Sequence, residues 1–302
     1  MEQTMPQLTE PQFPLKKLSF TQQPFGVRVK CVLDSSLVKE QDCITGAAIE
    51  ATGGMEPYFG LSAFSKGIVK EFGRSLGEFL GKLDKQNGTT LVYSGTGDAP
   101  SFQSLGFKSS SEWGVFQFGR PASGFGRRSE LMPVLRYFLE GEHVVDVHQS
   151  ARPGQEGIYV FLLDGGMDDY PRVFDYLGQF VGDVIGQRRK MSRLVFVGFG
   201  ENFIETSQGQ LHALAALSNR TEPPIISSLM VSDADNLFED VKDAVMVYVK
   251  VSRKGAVLDE NGKLIHDFPN GLPGAFQFYI PSGSGSFTIR MDDNLFIQRV
   301  SI

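Results

Sequence analysis

The sequence predicts an α/β protein: a doubly wound, mostly parallel sheet with a small C-terminal β module. Three observations carry this. The run Ile158 to Leu163 is six consecutive apolar residues. It is too short to span a membrane and too uninterrupted for a strand with one wet face, so it reads as a strand buried on both faces, as in parallel sheets. Between residues 25 and 243 such runs alternate with amphipathic helical patterns, the sign of β-α-β connections. From Ala244 onward the pattern changes to short β-prone segments and turns, with Asn261-Gly262 as a strong hairpin signal. The expected organisation is a tail over residues 1–24, the α/β domain over 25–243 and the β module over 244–302.

Taken in order, the tail carries Pro6, Pro11, Pro14 and Pro24, with an edge strand over residues 15–20. Residues 27–33 alternate, placing Val27, Val29, Cys31 and Leu33 on one face, and end at Asp34-Ser35-Ser36. This strand is expected at the sheet centre beside residues 158–163 and 194–197. Residues 39–58, with Gly46, Gly53, Gly54 and Pro57, read as a long loop of the kind that often carries function. A helix follows over residues 59–86, where Leu61, Phe64, Ile68, Phe72, Leu76, Phe79, Leu80 and Leu83 recur at helical spacing. Gly73, Gly77 and Gly81 fall four apart on one ridge. Each glycine costs a helix about 1 kcal/mol relative to alanine, so the ridge implies a closely packed neighbour. Asn87-Gly88 ends the helix.

Residues 89–94 and 113–118 read as strands joined by a Gly/Ser-rich connection. Ser129 is placed to cap a short helix carrying Leu131, Val134, Leu135 and Phe138. Residues 141–156 are irregular, with a short strand at 143–147. Beyond the central run, Asp168 and Asp169 stand where a helix dipole favours negative charge. That helix runs to about Lys190 and buries Val173, Leu177, Phe180, Val181 and Val184. Residues 194–197 form another apolar strand ending in Gly198-Phe199-Gly200. A helix over 207–217, a strand over 225–231 and a short helix over 235–243 complete the alternation.

Composition sets the function classes. The chain has 302 residues, 41% apolar and 21% charged, as an ordinary soluble globular protein does. A formal charge of −6 gives no general support to a nucleic-acid surface. The first residues lack a basic stretch followed by an apolar core, and no run reaches the ~20 apolar residues of a spanning helix. Cys31 and Cys43 do not make a disulfide framework. A reduced, cytoplasmic, bacterial-type protein with protein partners, and no nucleic-acid or membrane partner, is expected.

Asp164 stands where the central strand leaves the sheet, and Gly165-Gly166 permit a tight turn there. In open α/β sheets the functional crevice lies at these carboxyl ends. Other motifs are weaker. Gly198-Phe199-Gly200 lacks the third glycine of a dinucleotide fingerprint. His143, Asp146 and His148 read as surface residues, and Arg188, Arg189, Lys190 and Arg193 as a helix end that favours cations. Ser282-Gly283-Ser284-Gly285 is a turn composition, and Cys43 has no evident base.

The order of elements, with the pieces at residues 29–36, 159–169 and 194–203, resembles the von Willebrand factor A-type (vWA) domain. That resemblance implies a Rossmann-like sheet whose carboxyl edge holds magnesium through an Asp-x-Ser-x-Ser loop, a threonine and the aspartate of a Thr-Asp-Gly turn. Asp34 and Ser36 match the first two places, and Val38 takes the third. Asp164-Gly165 matches the turn, with Leu163 before it. Ser123 and Ser129 are the nearest hydroxyls to the second loop. The implied adhesion site is therefore degenerate: Asp34, Ser36 and Asp164 bind Mg2+ weakly or not at all. The resulting expectation is a non-enzymatic scaffold module with no catalytic residues, meeting its partner through Asp34, Ser35, Ser36, Asp164 and Gly165. The alternative is a metal-dependent phosphoester hydrolase using Asp34 and Asp164. Each aspartate alone reads equally as a turn cap.

Overall fold

The computed structural model describes residues 10–61, 67–97, 102–140, 156–200 and 205–300. They fall into two compact units, residues 1–39 with 245–302, and residues 40–244. In chain order the first strands are β1 (Leu15–Gln23), β2 (Gly26–Leu33), β3 (Ile44–Glu50), β4 (Gly88–Ser94) and β5 (Phe102–Ser109). Then come β6 (Gly157–Leu163), β7 (Ser192–Phe199), β8 (Ile226–Val231), β9 (Lys250–Ser252) and β10 (Gly255–Asp259). The last are β11 (Leu264–Phe268), β12 (Leu272–Pro273), β13 (Ala275–Ile280), β14 (Ser286–Met291) and β15 (Asn294–Arg299). The α-helices are α1 (Ile68–Leu83), α2 (Ser110–Val115), α3 (Met132–Leu139), α4 (Tyr170–Ile185), α5 (Glu205–Ala216) and α6 (Leu237–Met246).

The unit of residues 1–39 and 245–302 is built from antiparallel sheets. One has the order β1-β2-β13, a second β11-β10-β14-β15, and a third pairs β12 with β9. The alternating pattern of β2 belongs here. Val27, Val29 and Cys31 are buried, while Arg28 and Lys30 between them are partly or fully exposed, as a strand with one covered face requires. The Asn261-Gly262 turn joins β10 to β11, with Gly262 at φ 79° and Asp259 Oδ1 accepting from Asn261 N–H at 2.9 Å.

The unit of residues 40–244 holds a six-stranded sheet in the order β5-β4-β3-β6-β7-β8. Its strands run parallel except for the antiparallel edge strand β5. Ile44, Ala48, Tyr159, Phe161, Leu194 and Phe196 share a core with residues of α3, α4 and α5. Thr45, which points to the other face of β3, donates through its hydroxyl to the Leu80 carbonyl of α1 at 3.1 Å. Seven of seven residues are buried in each of β3, β4 and β6, so the interior of this unit is centred on those strands.

These findings correct the expected fold. The chain is not one doubly wound α/β domain over 25–243 with an appended β module, because three of the four sheets are antiparallel. Val27 to Leu33 is not a neighbour of the 158–163 strand: it pairs with β1 and β13 in the other unit. The place beside β6 is taken by β3, which the sequence reading left in a loop. Trp113 lies in α2 rather than in a strand, and Ser109 and Glu112 form a capping box that starts it. The glycine ridge of α1 is a packing surface: a Cβ on Gly77 would lie 2.6 Å from Trp113 Cγ, and one on Gly73 2.5 Å from Phe118 Cζ. Phe64 and the strand expected at 143–147 lie outside the described residues.

Candidate functional site

A cleft of about 490 Å3 opens at the carboxyl ends of β3 and β6, the two parallel neighbours at which the strand order reverses. Glu50 is the last residue of β3, and Asp164 directly follows β6. The backbone N–H of Asp164 donates to Glu50 Oε2 at 2.7 Å, which ties the two strand ends together. Thr52 donates its hydroxyl to Asp164 Oδ1 at 3.3 Å. Both carboxyls are buried, Glu50 with 1% and Asp164 with 5% of its surface exposed.

Glycines shape this wall. Gly53, Gly54, Gly126, Gly165 and Gly166 all line the cleft. At Gly54 and Gly126 a side chain is excluded, since a Cβ would run into Asp164 Oδ2 at the first and into the Gly95 carbonyl at the second. The loop after β3 is zipped to the loop before α3: Gly53 N–H donates to Gly126 O at 2.9 Å and Gly126 N–H to Ala51 O at 3.0 Å. Ser129 N–H donates to Asp168 Oδ2 at 2.8 Å, closing the rim from the other side.

The acid pair is electrostatically costly. Burial pushes the Glu50 carboxyl up to about 8, and the neighbouring charge of Asp164 pushes in the same direction. The Ser129 hydroxyl and the Asp164 backbone N–H offset part of this. Asp164 is raised as well, chiefly by burial, while contacts with Glu50 and Thr52 favour its charged form. Both carboxyls are therefore raised, by burial first, and the pair resists carrying two charges at once. Glu50 Oε1 is enclosed and forms no complete hydrogen bond.

Asp164 and Gly165, expected from the sequence, lie in this cleft. Asp34, Ser35 and Ser36 belong to the other unit, where Asp34 Oδ1 accepts from Ser36 N–H at 2.7 Å and caps a 3-10 turn over Ser35–Leu37. The two strand-end aspartates thus end strands of different sheets in different units. Neither unit holds the full set Asp34, Ser36 and Asp164 that magnesium binding, or the hydrolase alternative, requires. Among the described residues, no group of three or more His, Cys, Asp or Glu is arranged to hold a metal ion. Glu50, Thr52, Arg127 and Asp168 are side chains of the cleft with no site role in the sequence analysis, and Ser129 enters there only as one of the hydroxyls nearest to the second loop. The signal available was a loop rich in glycine with two hydrogen-bonding side chains at 50 and 52.

Other candidates resolve as structure. Asp169 occupies the N-cap position of α4 but gives that helix no side-chain bond; its carboxylate accepts from Leu131 and Met132 N–H, at 3.1 and 2.9 Å, and caps α3. Cys43 is buried, and burial pushes its thiol up to about 12, which leaves no thiolate for chemistry. Arg188 is paired with Asp183 at 2.7 Å, and Arg193 donates to the Pro223 carbonyl. Ser284 donates to the Pro281 carbonyl within a turn. His143, Asp146 and His148 lie outside the described residues.

No protein-family model and no curated protein matches the chain. Among solved structures it is similar to a pilus adhesin from Lactobacillus rhamnosus GG, with 10% identity, 94% of this chain and 47% of that chain covered, and a TM-score of 0.49. Proximal thread matrix protein 1 from the mussel byssus gives 13% identity, coverage of 73% and 50%, and a TM-score of 0.47. A pilus adhesin from Streptococcus pneumoniae gives 8% identity, coverage of 95% and 65%, and a TM-score of 0.39. The chain spans about half the length of the first of these proteins. The vWA resemblance does not stand as an assignment: no family model supports it, and Asp34 and Ser36, which carried its first motif, lie in a 3-10 turn that follows a strand of an antiparallel sheet.

Proposed function

We propose that the chain is a non-enzymatic protein-binding module that receives a basic side chain of its partner in the cleft between β3 and β6. The observation that carries this is the buried acid pair. Two carboxyls share the wall of an open cleft, and burial first and their mutual repulsion second oppose the ionisation of both. A lysine or arginine entering the cleft places a positive charge beside the two carboxyls and reverses the like-charge penalty. Asp168 and Arg127, both exposed, stand in the same lining with opposite charges, so the attraction for a cation comes from the buried pair, and the glycine loops let a partner approach the backbone closely. Partner residues are accordingly Glu50, Thr52, Asp164 and Gly165, with Ser129 and Asp168 at the edge. The similar solved structures are themselves adhesins and a matrix protein, in keeping with a binding role.

The test is affinity capture of the tagged chain from its native lysate, in parallel with an Asp164→Lys variant whose folding is verified by circular dichroism. A partner recovered stoichiometrically by the wild type and lost by the variant supports the reading. Recovery of the same partner by both proteins refutes it. Once the partner is purified, calorimetric titration in buffers of different ionisation enthalpy must show proton release on binding at pH 7, because a bound cation drives the Glu50 proton off.

A further inference from the structure

We infer that the outer edge of β15 pairs antiparallel with β15 of a second copy of this chain, with Phe296 on the two-fold axis. Among the described strands, β15 hydrogen-bonds only to β14, so it is an edge of its four-stranded sheet. Val300 N–H donates to Gly285 O at 2.9 Å, and Gly285 is the residue opposite it when the register Ser286↔Arg299 is extended by one. In an antiparallel ladder, such hydrogen-bonded pairs alternate with pairs whose backbone groups face away. Residues 294, 296 and 298 therefore bond to β14, and the N–H and C=O groups of Leu295 and Ile297 point outward. The side chains of these two residues are 62% and 63% exposed.

Edge strands that stay single usually carry lysine, proline or an inward charge. β15 reads Asn-Leu-Phe-Ile-Gln-Arg, with none of these before its last residue. The opposite edge of the sheet, β11, presents His266 and Asp267 instead. The segment before β1 meets this strand at Gln298, whose Oε1 accepts from Gln12 N–H at 2.8 Å, and at Phe296, whose ring lies against Phe13. Among the described residues, Leu295 and Ile297 keep an outward backbone row without a partner and two large exposed apolar side chains.

The register follows from complementarity. A two-fold axis through Phe296 places Leu295 of each copy opposite Ile297 of the other, in pairs where outward N–H and C=O groups meet. The same axis sets Asp293 opposite Arg299, a pair of opposite charges at each end of the joint. Both residues are exposed. An axis through Gln298 would set Ile297 against Arg299 instead. The carbonyl of Arg299 already accepts from Gln298 Nε2 at 2.7 Å, which limits the joint to the central pairs. The occupant that fits this edge is thus a second copy of the chain.

Sedimentation analysis of the full chain over a range of concentrations tests the proposal. A reversible dimer is expected, with Ile297→Lys weakening it by at least about tenfold, a loss of ~1.4 kcal/mol or more. Asp293→Arg and Arg299→Asp are each expected to weaken it, and the double variant to restore it, because the swapped pair is again opposite in sign. All these positions are exposed, and an unchanged thermal midpoint confirms that each variant folds. A chain that stays monomeric into the submillimolar range overturns the proposal. So does a dimer indifferent to Ile297→Lys, or a double variant as weak as the single ones.

Discussion

Replacing Glu50 with glutamine isolates ionisation as the variable. The amide has the same shape, its carbonyl oxygen can accept from Asp164 N–H as Oε2 now does at 2.7 Å, and its NH2 can donate to the Asp164 carboxylate. What it cannot do is become charged. In the wild type the Glu50 carboxyl stands at about 8 in place of the ordinary 4.5, from burial first and Asp164 second. A carboxyl raised in this way keeps a proton in the folded state that the unfolded chain has released. Its contribution to stability is complete below the unfolded value and is lost as pH rises towards and through 8. One pKa unit corresponds to ~1.4 kcal/mol, so the loss amounts to a few kcal/mol. Asp164, raised as well, acts with the same sign. For a unit of this size, ~1 kcal/mol moves the thermal midpoint by ~2–4 °C. The wild type should therefore lose on the order of 10 °C between about pH 5 and about pH 9. Asp84, raised to about 6 by burial, contributes a separate drop at lower pH in both proteins, so the comparison is made above about pH 6.5. Trp113, the only tryptophan of the chain, is buried in the same unit and reports its unfolding. The glutamine variant should give a shallower curve that crosses the wild type and lies above it at high pH. Parallel curves would refute the account of the acid pair.

Gly77→Leu should lower stability by roughly 3 kcal/mol or more, since even a Cβ would meet Trp113 Cγ at 2.6 Å and Cβ at 2.8 Å. Trp113 cannot give way freely, because its Nε1 donates to the Thr89 carbonyl at 2.9 Å and its ring stacks on Phe118; chemical denaturation measures the loss, and an unchanged midpoint would show that the ridge is not packed. Gly46→Ala places a methyl 2.5 Å from Phe138 Cε1 and should cost ~1–3 kcal/mol in the same assay, unless the Phe138 ring, stacked on Tyr159, can shift. Asp169→Ala removes the cap from α3 and should cost ~1–2 kcal/mol; hydrogen exchange at Leu131 and Met132 should rise in that variant ahead of the rest of the unit.

What could be read from the sequence was set by how side chains report burial. Ile158 to Leu163 and Leu194 to Val197 are uninterrupted apolar runs, and both are buried strands of the parallel sheet. β3 was missed because Ile-Thr-Gly-Ala-Ala-Ile-Glu has few bulky residues; the space a larger side chain would take at Gly46 is filled by Phe138. Without β3, the apolar alternation of residues 27–33 was the nearest substitute for a central strand. Yet alternation is the mark of a strand with one covered face, and β2 is such a strand in an antiparallel sheet. That single misplacement moved half of the expected site. Asp34-Ser35-Ser36 was taken as the first acidic loop, while the acidic residue that meets Asp164 is Glu50, ending β3. The residues around Trp113 looked β-prone, although the serine and glutamate three apart at 109 and 112 were a helix-start signal already present in the sequence.

Three buried acids of the same unit show why Glu50 is the one that points to a function. Asp84 receives N–H donors on both oxygens, from Gln86 at 2.9 Å and Thr45 at 2.7 Å, and binds α1 to β3. Asp169 likewise receives Leu131 and Met132 N–H and seats α3. Both supply acceptors to backbone donors that folding would otherwise leave unpaired, which is reason enough for their burial. Glu50 satisfies one backbone N–H through Oε2, which a glutamine would do without an ionisable group, and leaves Oε1 unsatisfied. Its carboxyl also stands against a second one, so the folded state loses stability by keeping it at the pH of a cell. A group that weakens the fold and lines an open cleft is better accounted for by what enters the cleft than by what the cleft is made of.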